Sequence, residues 1–513
     1  MNNNKALFLV LFFLTALHVW SREPIIYIED NTPKSEYYTL VTIGKKSVRP
    51  QQFRDISYVH FSISSGSDIQ VNCVEDINEF EISPLIKKID GHLNGKSLRF
   101  RIPNPGYYVI RINGGQYLFL LADKPQEEIY SSKSGNIINV EDFLPKGKSN
   151  LLLTQHLQNA FDKASGSGKI LYFPSGVYHT GTLQVKSNTK VYLEAGAVIK
   201  GSENRNDYPT DENRLESDHV NRAKEEYTDN GEWMTFSRLI LIDNAENVHI
   251  SGRGVIDGSG SIVRAQGKPA NLIRIRRSKH ILIEDVILRD PAAWNTHVQL
   301  SDSVVMRNVK IINDFNVANT DGIDPDASRN VLVDHCFAYC NDDNIAIKTT
   351  NNLGLNQDLE NITVKGCVFL TRKSSLKVGT ETKAANMSNI LFENNDVIVS
   401  DRGMVLYCND GAHFKNIRFV NNRFEYCYIK GTQRPIHFII KNRYGKGRIE
   451  NVLIKDCEIY KPFPNGSEIF GLDVQNDIQH IVFDNFIING VKVNSLQDAD
   501  IRINEFVKDV TFR

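Results

Sequence analysis

Two different rhythms of apolar and polar residues follow each other along the chain. From about residue 22 to residue 126, short segments alternate between apolar and polar positions, and turn residues such as Asn94-Gly95 and Gly114-Gly115 separate them. The segments are YYTLVTI, YVHFSIS, IQVNCV, SLRFRI, YYVIRI and QYLFLLA. Six or seven strands at this spacing predict a small antiparallel β-sandwich domain over residues 22–130.

A longer repeat begins after the polar stretch that ends near residue 136. Its motif is Asn or His, then an apolar residue, any residue and an apolar residue, and it starts at Asn247, His280, Asn330, Asn361, Asn389, Asn416, Asn451 and His480. From Asn330 onward the steps are 31, 28, 27, 35 and 29 residues. A constant motif at variable spacing indicates constant strands with variable loops. We therefore predict an all-β protein with a right-handed parallel β-helix over residues 131–513. Because exposed coil ends invite edge-to-edge association, we expect the sandwich to cap the helix at its N-terminal end.

The repeat also accounts for most of the cysteines. The residues six positions after five successive motif asparagines are Cys336, Cys367, Asn395, Asn422 and Cys457. Equivalent positions of successive coils stack, so we predict an internal ladder of small polar side chains with buried, reduced thiols. Cys336 and Cys367 lie on adjacent rungs within disulfide reach, and a disulfide between them stays open. Neither Cys nor His shows metal-ligand spacing, so we predict no metal and no other cofactor.

Charge and the N-terminal segment narrow the class of protein. The chain has 60 Lys and Arg against 61 Asp and Glu, which argues against a nucleic-acid partner bound by bulk electrostatics. In residues 1–21, Lys5 precedes an apolar run from Ala6 to Leu17, and small Ser21 follows. This pattern predicts a cleaved signal peptide and a secreted or periplasmic protein. The run is too short for a membrane-spanning helix, and no later stretch qualifies.

Carboxylates concentrate in one stretch, from Asn319 to Lys348. Asp321 precedes Asp342, the first residue of the pair Asp342 and Asp343, by 21 residues, which we take as one coil; neighbouring rungs lie roughly 4.8 Å apart. Clustered carboxylates cannot all ionise cheaply, so one pKa rises, and a neutral carboxyl beside an ionised one equips a glycoside hydrolase. Because consecutive strand residues face opposite sides, we predict a bend or bulge at 341–343.

The motifs of this stretch resemble those of a known family. The segments NTDGID and NDDNIAIK, one coil apart, look like the polygalacturonases of glycoside hydrolase family 28, and LQNAFDKASGSGKILYFPSGVYHTGTL and GRGVIDGSG are similar to that superfamily's opening coils. The resemblance covers roughly residues 137–460. It implies a secreted hydrolase of α-glycosidic bonds in a pectin-like polysaccharide or oligosaccharide. Asp342 would be the general acid, and Asp321 and Asp343 would position and deprotonate water with inversion.

The sequence departs from the family beyond the aspartate pair. Where the family has Gly-His-Gly, this chain has Lys373-Ser374-Ser375, and the Arg-Ile-Lys motif is reduced to Arg402-Gly403-Met404. The missing groups help the family to bind galacturonate. An N-terminal sandwich joined to a β-helix with three aspartates also resembles family 49, which implies neutral α-glucans such as dextran or pullulan as an alternative substrate.

Further residues near the aspartates are candidates for substrate binding. Basic residues in the flanking coils could bind a uronate or a sulfate, and the preceding coil and the first aspartate motif could line the cleft. The basic candidates are Lys348, Lys377 and Arg402, with Arg434, Lys441 and Arg443 in the same group; the others are Trp294, Asn295, His297, Asn319 and Asp324. Trp294 could stack on a sugar face, and Tyr407, Tyr426 and Tyr428 are weaker candidates for the same role.

Two other functional classes remain open. A polysaccharide lyase would use a Lys or Arg base and commonly calcium, which the three aspartates could hold through oxygen ligands; sensitivity to EDTA would separate this reaction from hydrolysis. In a non-catalytic glycan-binding β-helix, the aspartates would be turn residues, and mutating them would leave binding intact.

Overall fold

The computed structural model describes residues 23–30, 32–147, 151–209, 237–267, 270–350, 355 and 357–513. The predicted signal peptide over residues 1–21 lies outside these ranges. Within them, no helix is long and apolar enough to cross a membrane.

Three long sheets form the larger part of the molecule, and in each sheet successive coils add one parallel strand, except that the last strand of sheet 2, Val491–Lys492, pairs antiparallel. Sheet 1 consists of Ile137–Asn139, Ile170–Phe173, Thr189–Leu193, Glu246–Gly252, Lys279–Glu284, Asp302–Arg307, Arg329–Asp334, Leu359–Lys365, Asn386–Glu393, His413–Val420, Arg448–Lys455, Ile478–Asp484 and Val507–Phe512. Sheet 2 consists of Gly176–Thr180, Ala197–Gly201, Val255–Asp257, Ile287–Arg289, Lys310–Ile312, Phe337–Cys340, Val368–Thr371, Asp396–Ser400, Arg423–Cys427, Glu458–Ile459, Ile487–Ile488 and Val491–Lys492. Sheet 3 consists of Leu183–Val185, Arg238–Asp243, Asn271–Arg276, Thr296–Gln299, Ile323–Asp326, Ile345–Thr349, Ser374–Thr382, Arg402–Asp410, Arg434–Gly445, Ser467–Phe470 and Ile501–Ile503.

The motif asparagines explain why the coils turn where they do. Every Asn or His that starts the repeated motif has a positive φ, between 54° and 59°. Asn adopts this left-handed conformation at lower cost than most residues, and the apolar residues that follow point into the core. The exposed amides also bond from coil to coil, as Asn389 Nδ2 donates to Asn361 Oδ1 at 3.3 Å and Asn416 Nδ2 to Asn389 Oδ1 at 3.2 Å.

The predicted internal ladder is confirmed. The backbone N–H of Cys367 donates to Asn395 Oδ1 at 3.0 Å, and Asn395 Nδ2 donates to Asn422 Oδ1 at 2.9 Å. All seven cysteines are free, including Cys336 and Cys367, and six of them are buried. Because unmade bonds of buried polar groups are costly, the ladder fixes the register of successive coils from inside.

An antiparallel sandwich precedes the solenoid, as predicted. One of its sheets consists of Ile25–Tyr27, Gln51–Phe53, Ile56–Ser62, Tyr117–Asp123, Gly106–Ile112 and Phe80–Ser83, and the other of Lys46–Val48, Tyr38–Ile43, Ser67–Cys73, Ser97–Ile102 and Gly91–Asn94. The first sheet contains one parallel pair, Ile56–Ser62 with Tyr117–Asp123. The predicted fold class, a parallel β-helix preceded by this small sandwich, is confirmed.

The expectation that the sandwich caps the solenoid end was wrong. Helix α1, Thr154–Ala164, covers the first coils with Leu157 and Phe161 in the core. Among the described residues, the other helical segments are α2, Gly260–Ala265, and the short 3₁₀ helices Leu85–Lys87, Val140–Phe143 and Arg205–Asp207. An amphipathic helix shields the core and has no strand edge for pairing, so the end needs no second domain.

The sandwich instead packs along the outer face of sheet 2. Its apolar side chains form one cluster with those of sheet 2, from Val198 in an early coil to Ile398 several coils later. A buried polar group joins the two bodies at the same seam: Asp123 accepts from Lys310 Nζ at 2.6 Å and from His60 Nε2 at 2.7 Å. The sandwich therefore runs beside the turns that lead from sheet 2 into sheet 3.

Candidate active site

The turns between sheet 2 and sheet 3 bring the predicted aspartates together. Ile323 pairs with Ile345, an offset of 22 residues, so Asp321 lies beside Asp343 and Asp342 sits one position further out. The 21-residue spacing used for the prediction was thus one residue short of the true coil. Residues 341–343 bend between the strands Phe337–Cys340 and Ile345–Thr349, which confirms the predicted bend.

The three carboxylates form a tight cluster. One carboxylate oxygen from each of Asp321, Asp342 and Asp343 lies within 4.8 Å of the other two. Asp321 and Asp343 are buried and Asp342 is half-buried, so Asp342 is the member most open to a ligand. The oxygens are closer than the separation of about 6.5–9.5 Å between carboxyl groups that is typical of inverting enzymes. The predicted clustering is confirmed, at a shorter distance than expected.

Two buried lysines form ion pairs with carboxylates of the cluster. Lys348 Nζ lies 3.1 Å from Asp321 Oδ2 and 3.1 Å from Asp324 Oδ1, and Lys377 Nζ lies 2.5 Å from Asp343 Oδ2. Both lysines and Asp324 are at least 90% buried. These predicted substrate-binding residues are therefore committed to the aspartates, and Asp324 lies beneath the site, out of reach of a ligand.

The surroundings drive the pKa values of the aspartate pair apart. Burial and the neighbouring charge of Asp343 raise the pKa of Asp342 above its usual range. For Asp343, burial acts in the same direction, but the ammonium of Lys377 and the guanidinium of Arg402 outweigh it and hold its pKa below the usual range. A carboxyl with a raised pKa therefore stands next to one with a lowered pKa, which is the division expected of a general acid and a general base.

The two other buried carboxyls of the site, Asp321 and Asp324, also have raised pKa values. Burial raises the pKa of Asp324 to about 7, although Lys348 opposes the rise. Burial also raises the pKa of Asp321 well above its usual range, reinforced by the neighbouring aspartates. Four carboxyls face two lysines here, so the cluster retains protons near neutral pH instead of carrying four full negative charges.

The coil before Asp321 supports the site from the side. Trp294 is half-buried, with Lys348 Nζ 3.8 Å from its ring centroid and His297 edge-on at 4.9 Å. His297 is buried and bonds through Nε2 to Asp326 Oδ2 at 2.9 Å. Asn295 is also buried, and its Nδ2 donates to Asn313 Oδ1 at 3.0 Å. Of the three predicted residues, only Trp294 reaches the open side of the site.

The remaining candidates are dispersed. Asn319 is half-buried, and its Oδ1 accepts from Arg264 Nη2 at 3.1 Å. Arg434 pairs with Glu468 at 3.0 Å, and Arg443 with Asp410, whereas Lys441 is exposed on the strand Arg434–Gly445. The structure thus leaves these basic residues outside the aspartate cluster.

Arg402 leads to two side chains that the sequence reasoning did not connect. Its Nη1 donates to Tyr407 Oη at 3.2 Å, and Tyr407 Oη bonds to His437 Nδ1 at 2.6 Å. Val405 pairs with His437 in sheet 3, which places these rings on neighbouring rungs. The coil register is the signal that could have linked them, but the 35-residue step between Asn416 and Asn451 concealed it.

The aspartates also have the composition of a metal site, and the lysines decide how well an ion fits. Calcium requires six to eight oxygen ligands. Asp321 and Asp343 each already bind an ammonium group, and a divalent cation at the same oxygens would face both positive charges. The donor set therefore fits acid–base chemistry better than calcium binding.

Comparisons with known proteins agree with this architecture. The family model for glycosyl hydrolases family 28 matches residues 212–451. The exo-poly-alpha-D-galacturonosidase of Dickeya chrysanthemi is 25% identical over 437 residues, which cover 72% of this chain and 70% of that protein. An exopolygalacturonase from Thermotoga maritima has a TM-score of 0.58 at 20% identity, covering 74% of this chain and 92% of its own. Dex49A from Penicillium minioluteum has a TM-score of 0.59 at 12% identity, covering 95% and 96%.

The two structural matches show a shared fold, that of the right-handed parallel β-helix. Fold and sequence together define a glycoside hydrolase. Within that class, the resemblance to family 28 is confirmed, and the likeness to Dex49A is one of fold.

Proposed function

We propose that this protein hydrolyses α-glycosidic bonds in an acidic, pectin-like polysaccharide or oligosaccharide. The observation that carries the proposal is the cluster of Asp321, Asp342 and Asp343, in which burial raises the pKa of Asp342 while Lys377 and Arg402 lower the pKa of Asp343. The polygalacturonase names of the sequence relatives support the acidic substrate.

Each aspartate has a distinct task in the proposed reaction. Asp342 donates its proton to the glycosidic oxygen as the bond to the anomeric carbon breaks. Asp321 orients a water molecule, and Asp343 takes a proton from this water as its oxygen attacks the anomeric carbon from the opposite side. One proton is given and one is taken, so exchange with solvent restores the starting state. Trp294 would contact a sugar ring at the open side.

Although the carboxylate oxygens lie closer together than is typical of inverting enzymes, hydrogen bonding supports inversion over a covalent intermediate. Asp343 Oδ1 accepts from the backbone N–H of Ser374 at 2.8 Å, and Oδ2 accepts from Lys377. Asp321 is held by Lys348 in the same way. A carboxylate bound through its oxygens is poised to orient water and less able to attack carbon itself. The first product should therefore have the inverted anomeric configuration, as proton NMR of the earliest product will show, whereas a retained anomer would mean a nucleophilic aspartate.

The test of function is product formation on a polymer panel by wild type and three variants, Asp321→Asn, Asp342→Asn and Asp343→Asn. We expect wild type to release reducing ends from polygalacturonate and each variant to lose at least about a hundredfold in kcat, as is typical for a lost general acid or base. Unchanged activity of Asp342→Asn would contradict its role. Activity on dextran or pullulan above that on every acidic polymer would favour the neutral-glucan alternative.

Unsaturated products that absorb in the ultraviolet would instead indicate a lyase. Glycan binding without any product would indicate a non-catalytic β-helix. Either result is visible in the same panel. A loss of binding in Asp342→Asn would not by itself distinguish an enzyme from a non-catalytic glycan-binding protein. Product formation and binding are therefore measured on the same samples.

The organisation of the chain completes the proposal. We propose a division into a sandwich domain, residues 22–130, and a catalytic solenoid, residues 131–513, with export directed by residues 1–21. Limited proteolysis should cut first between the last sandwich strand, which ends at Asp123, and the first solenoid strand, which begins at Ile137. N-terminal sequencing of the exported protein tests the signal peptide.

A further inference from the structure

One guanidinium beside the aspartate cluster has no acceptor. Arg372 lies in the turn from sheet 2 to sheet 3 one coil after Asp342, and it makes neither a hydrogen bond nor an ion pair with any described residue. Its Nε is buried without a hydrogen-bond partner. The Nε atoms of Arg402 and Arg434 also lack a hydrogen-bond partner, but these two arginines and Arg443, in the neighbouring coils, form ion pairs with carboxylates. A buried donor without an acceptor is costly, so this arginine is a feature that a ligand could complete.

Two aromatic rings fix the position of this guanidinium. Arg372 Cζ lies 4.8 Å from the ring centroid of Phe315 and 5.7 Å from that of Tyr428, both within cation–π distance. Phe315 is itself stacked on Tyr339, with centroids 3.9 Å apart and planes 4° apart. A guanidinium that packs against aromatic rings can still present its two Nη groups to a planar bidentate partner.

The same turn is tied directly to the proposed general acid. Thr371 Oγ1 donates to the backbone carbonyl of Asp342, and Asn341 Nδ2 donates to the carbonyl of Phe315. The turn that carries Arg372 is therefore held to Asp342, and Phe315 is held to the residue before Asp342. A ligand group bound by Arg372 would belong to a molecule that also reaches Asp342.

The sandwich domain contacts the solenoid turns beside Arg372. Tyr339 Oη donates to Asp55 Oδ2 at 3.0 Å, and Arg54, the preceding residue, pairs with Asp314 at 3.2 Å. The 54–55 turn of the sandwich thus follows the solenoid turns that carry Phe315 and Arg372. Directly after Tyr428 in the chain, Ile429 is 79% exposed, and Lys430 is exposed beside it.

We propose that Arg372 binds the carboxylate of a second uronic-acid residue in the same substrate chain, away from the cleaved bond. The inference rests on the proposed function and extends it. It assigns recognition of the acidic chain to a residue outside the aspartate cluster, on a surface that the solenoid turns share with the 54–55 turn of the sandwich. Arg372 does not occupy a position of either family motif that is altered in this sequence, at residues 373–375 and 402–404.

The test measures binding in an Asp342→Asn background, where the substrate stays intact. Oligogalacturonates and their methyl esters of equal length are titrated calorimetrically against the background variant alone and with Arg372→Met, Arg372→Lys or Arg418→Met added. Arg418 is an exposed arginine on sheet 1 and serves as the charge-matched control. We expect Arg372→Met to weaken binding of the acid about ten- to hundredfold, as for loss of a charge-assisted bond, with little change for the ester. The affinity of Arg372→Lys for the acid should lie between those of the background variant and of Arg372→Met, because lysine keeps the positive charge but cannot form the bidentate contact of a guanidinium.

Each other outcome overturns the inference. Equal losses for acid and ester would mean that Arg372 only shapes the surface, and an equal loss with Arg418→Met would mean a long-range charge effect. An unchanged affinity of Arg372→Met, with a melting temperature equal to that of the background, would remove the site. If wild type cleaves acidic chains but Arg372→Met binds them normally, only the inference fails; if wild type neither binds nor cleaves them, the proposed function fails first.

Discussion

Replacing Lys377 by Met should shift the pH dependence of the reaction. Lys377 Nζ lies 2.5 Å from Asp343 Oδ2, and both side chains are buried. A charge-assisted hydrogen bond contributes about 1.5–3 kcal/mol, and one pKa unit corresponds to about 1.4 kcal/mol. Loss of the ammonium group should therefore raise the pKa of Asp343 by about one to two units.

The sign of the effect follows from the role of Asp343 as the base. Only its ionised form accepts a proton, and its pKa in the folded protein is depressed. The acidic limb of kcat/KM should thus move to higher pH by about one to two units in Lys377→Met, with a loss of about ten- to hundredfold below the limb and recovery above it. The assay is release of reducing ends from polygalacturonate between pH 3 and pH 9, at substrate concentrations well below KM.

Two controls make this experiment decisive. Lys377→Arg keeps the positive charge and should keep the limb near its original pH, and Lys190→Met removes an exposed lysine of sheet 1 and should change nothing. A limb that stays in place in Lys377→Met would refute the assignment of Asp343 as the base. A loss of equal size at every pH would instead mean that Lys377 acts on the substrate, as the sequence alone suggested.

Further predictions concern stability and inhibition. Glu425 is buried, accepts from Ser83 Oγ and the backbone N–H of Leu85, and has its pKa raised by burial to about 8. Since the folded state then binds the proton more tightly, the free energy of unfolding should fall as pH rises from about 4.5 to about 8, and Glu425→Gln should remove this slope in urea unfolding at pH 5 and pH 9. Asn395→Ala should destabilise the protein by at least about 1–3 kcal/mol, because it leaves the buried N–H of Cys367 unpaired; thermal unfolding measures this. Thiol titration should find all seven cysteines only after denaturation, with at most Cys427 reacting in the native state. EDTA should leave the initial rate on polygalacturonate unchanged, because lysines already bind the site carboxylates, and a loss restored by calcium would favour a lyase.

The sequence predicted the solenoid because the signal is local and repeated. Asn at positions such as Asn361 and Asn389 marks a left-handed residue in each coil, and the apolar residues beside it define the core. The same repetition predicted the internal ladder of Cys367 and Asn395. Such features depend on residues a few positions apart, whose geometry is the same in every coil.

The parts that the sequence did not predict depend on contacts between distant segments. The ammonium groups of Lys348 and Lys377 could point toward substrate or toward an aspartate, and only the coil register decides between these directions. The seat of the sandwich depends on the fit of residues such as Tyr107 against Phe337, with ring centroids 5.6 Å apart. Neither surface carries a periodic pattern that identifies its partner.

The seam between sandwich and solenoid makes the two parts poor candidates for exchange. Lys310 is fully buried, and its Nζ bonds to Asp123 of the sandwich and to the backbone carbonyl of Asp285. A solenoid produced without residues 22–130 would lose the carboxylate that neutralises this lysine, and breaking a buried ion pair costs about 3–5 kcal/mol. It would also present the aromatic rings of sheet 2 to water. Gene fusions that swap the N-terminal part for another module should therefore yield insoluble protein unless the face of sheet 2 is redesigned with it.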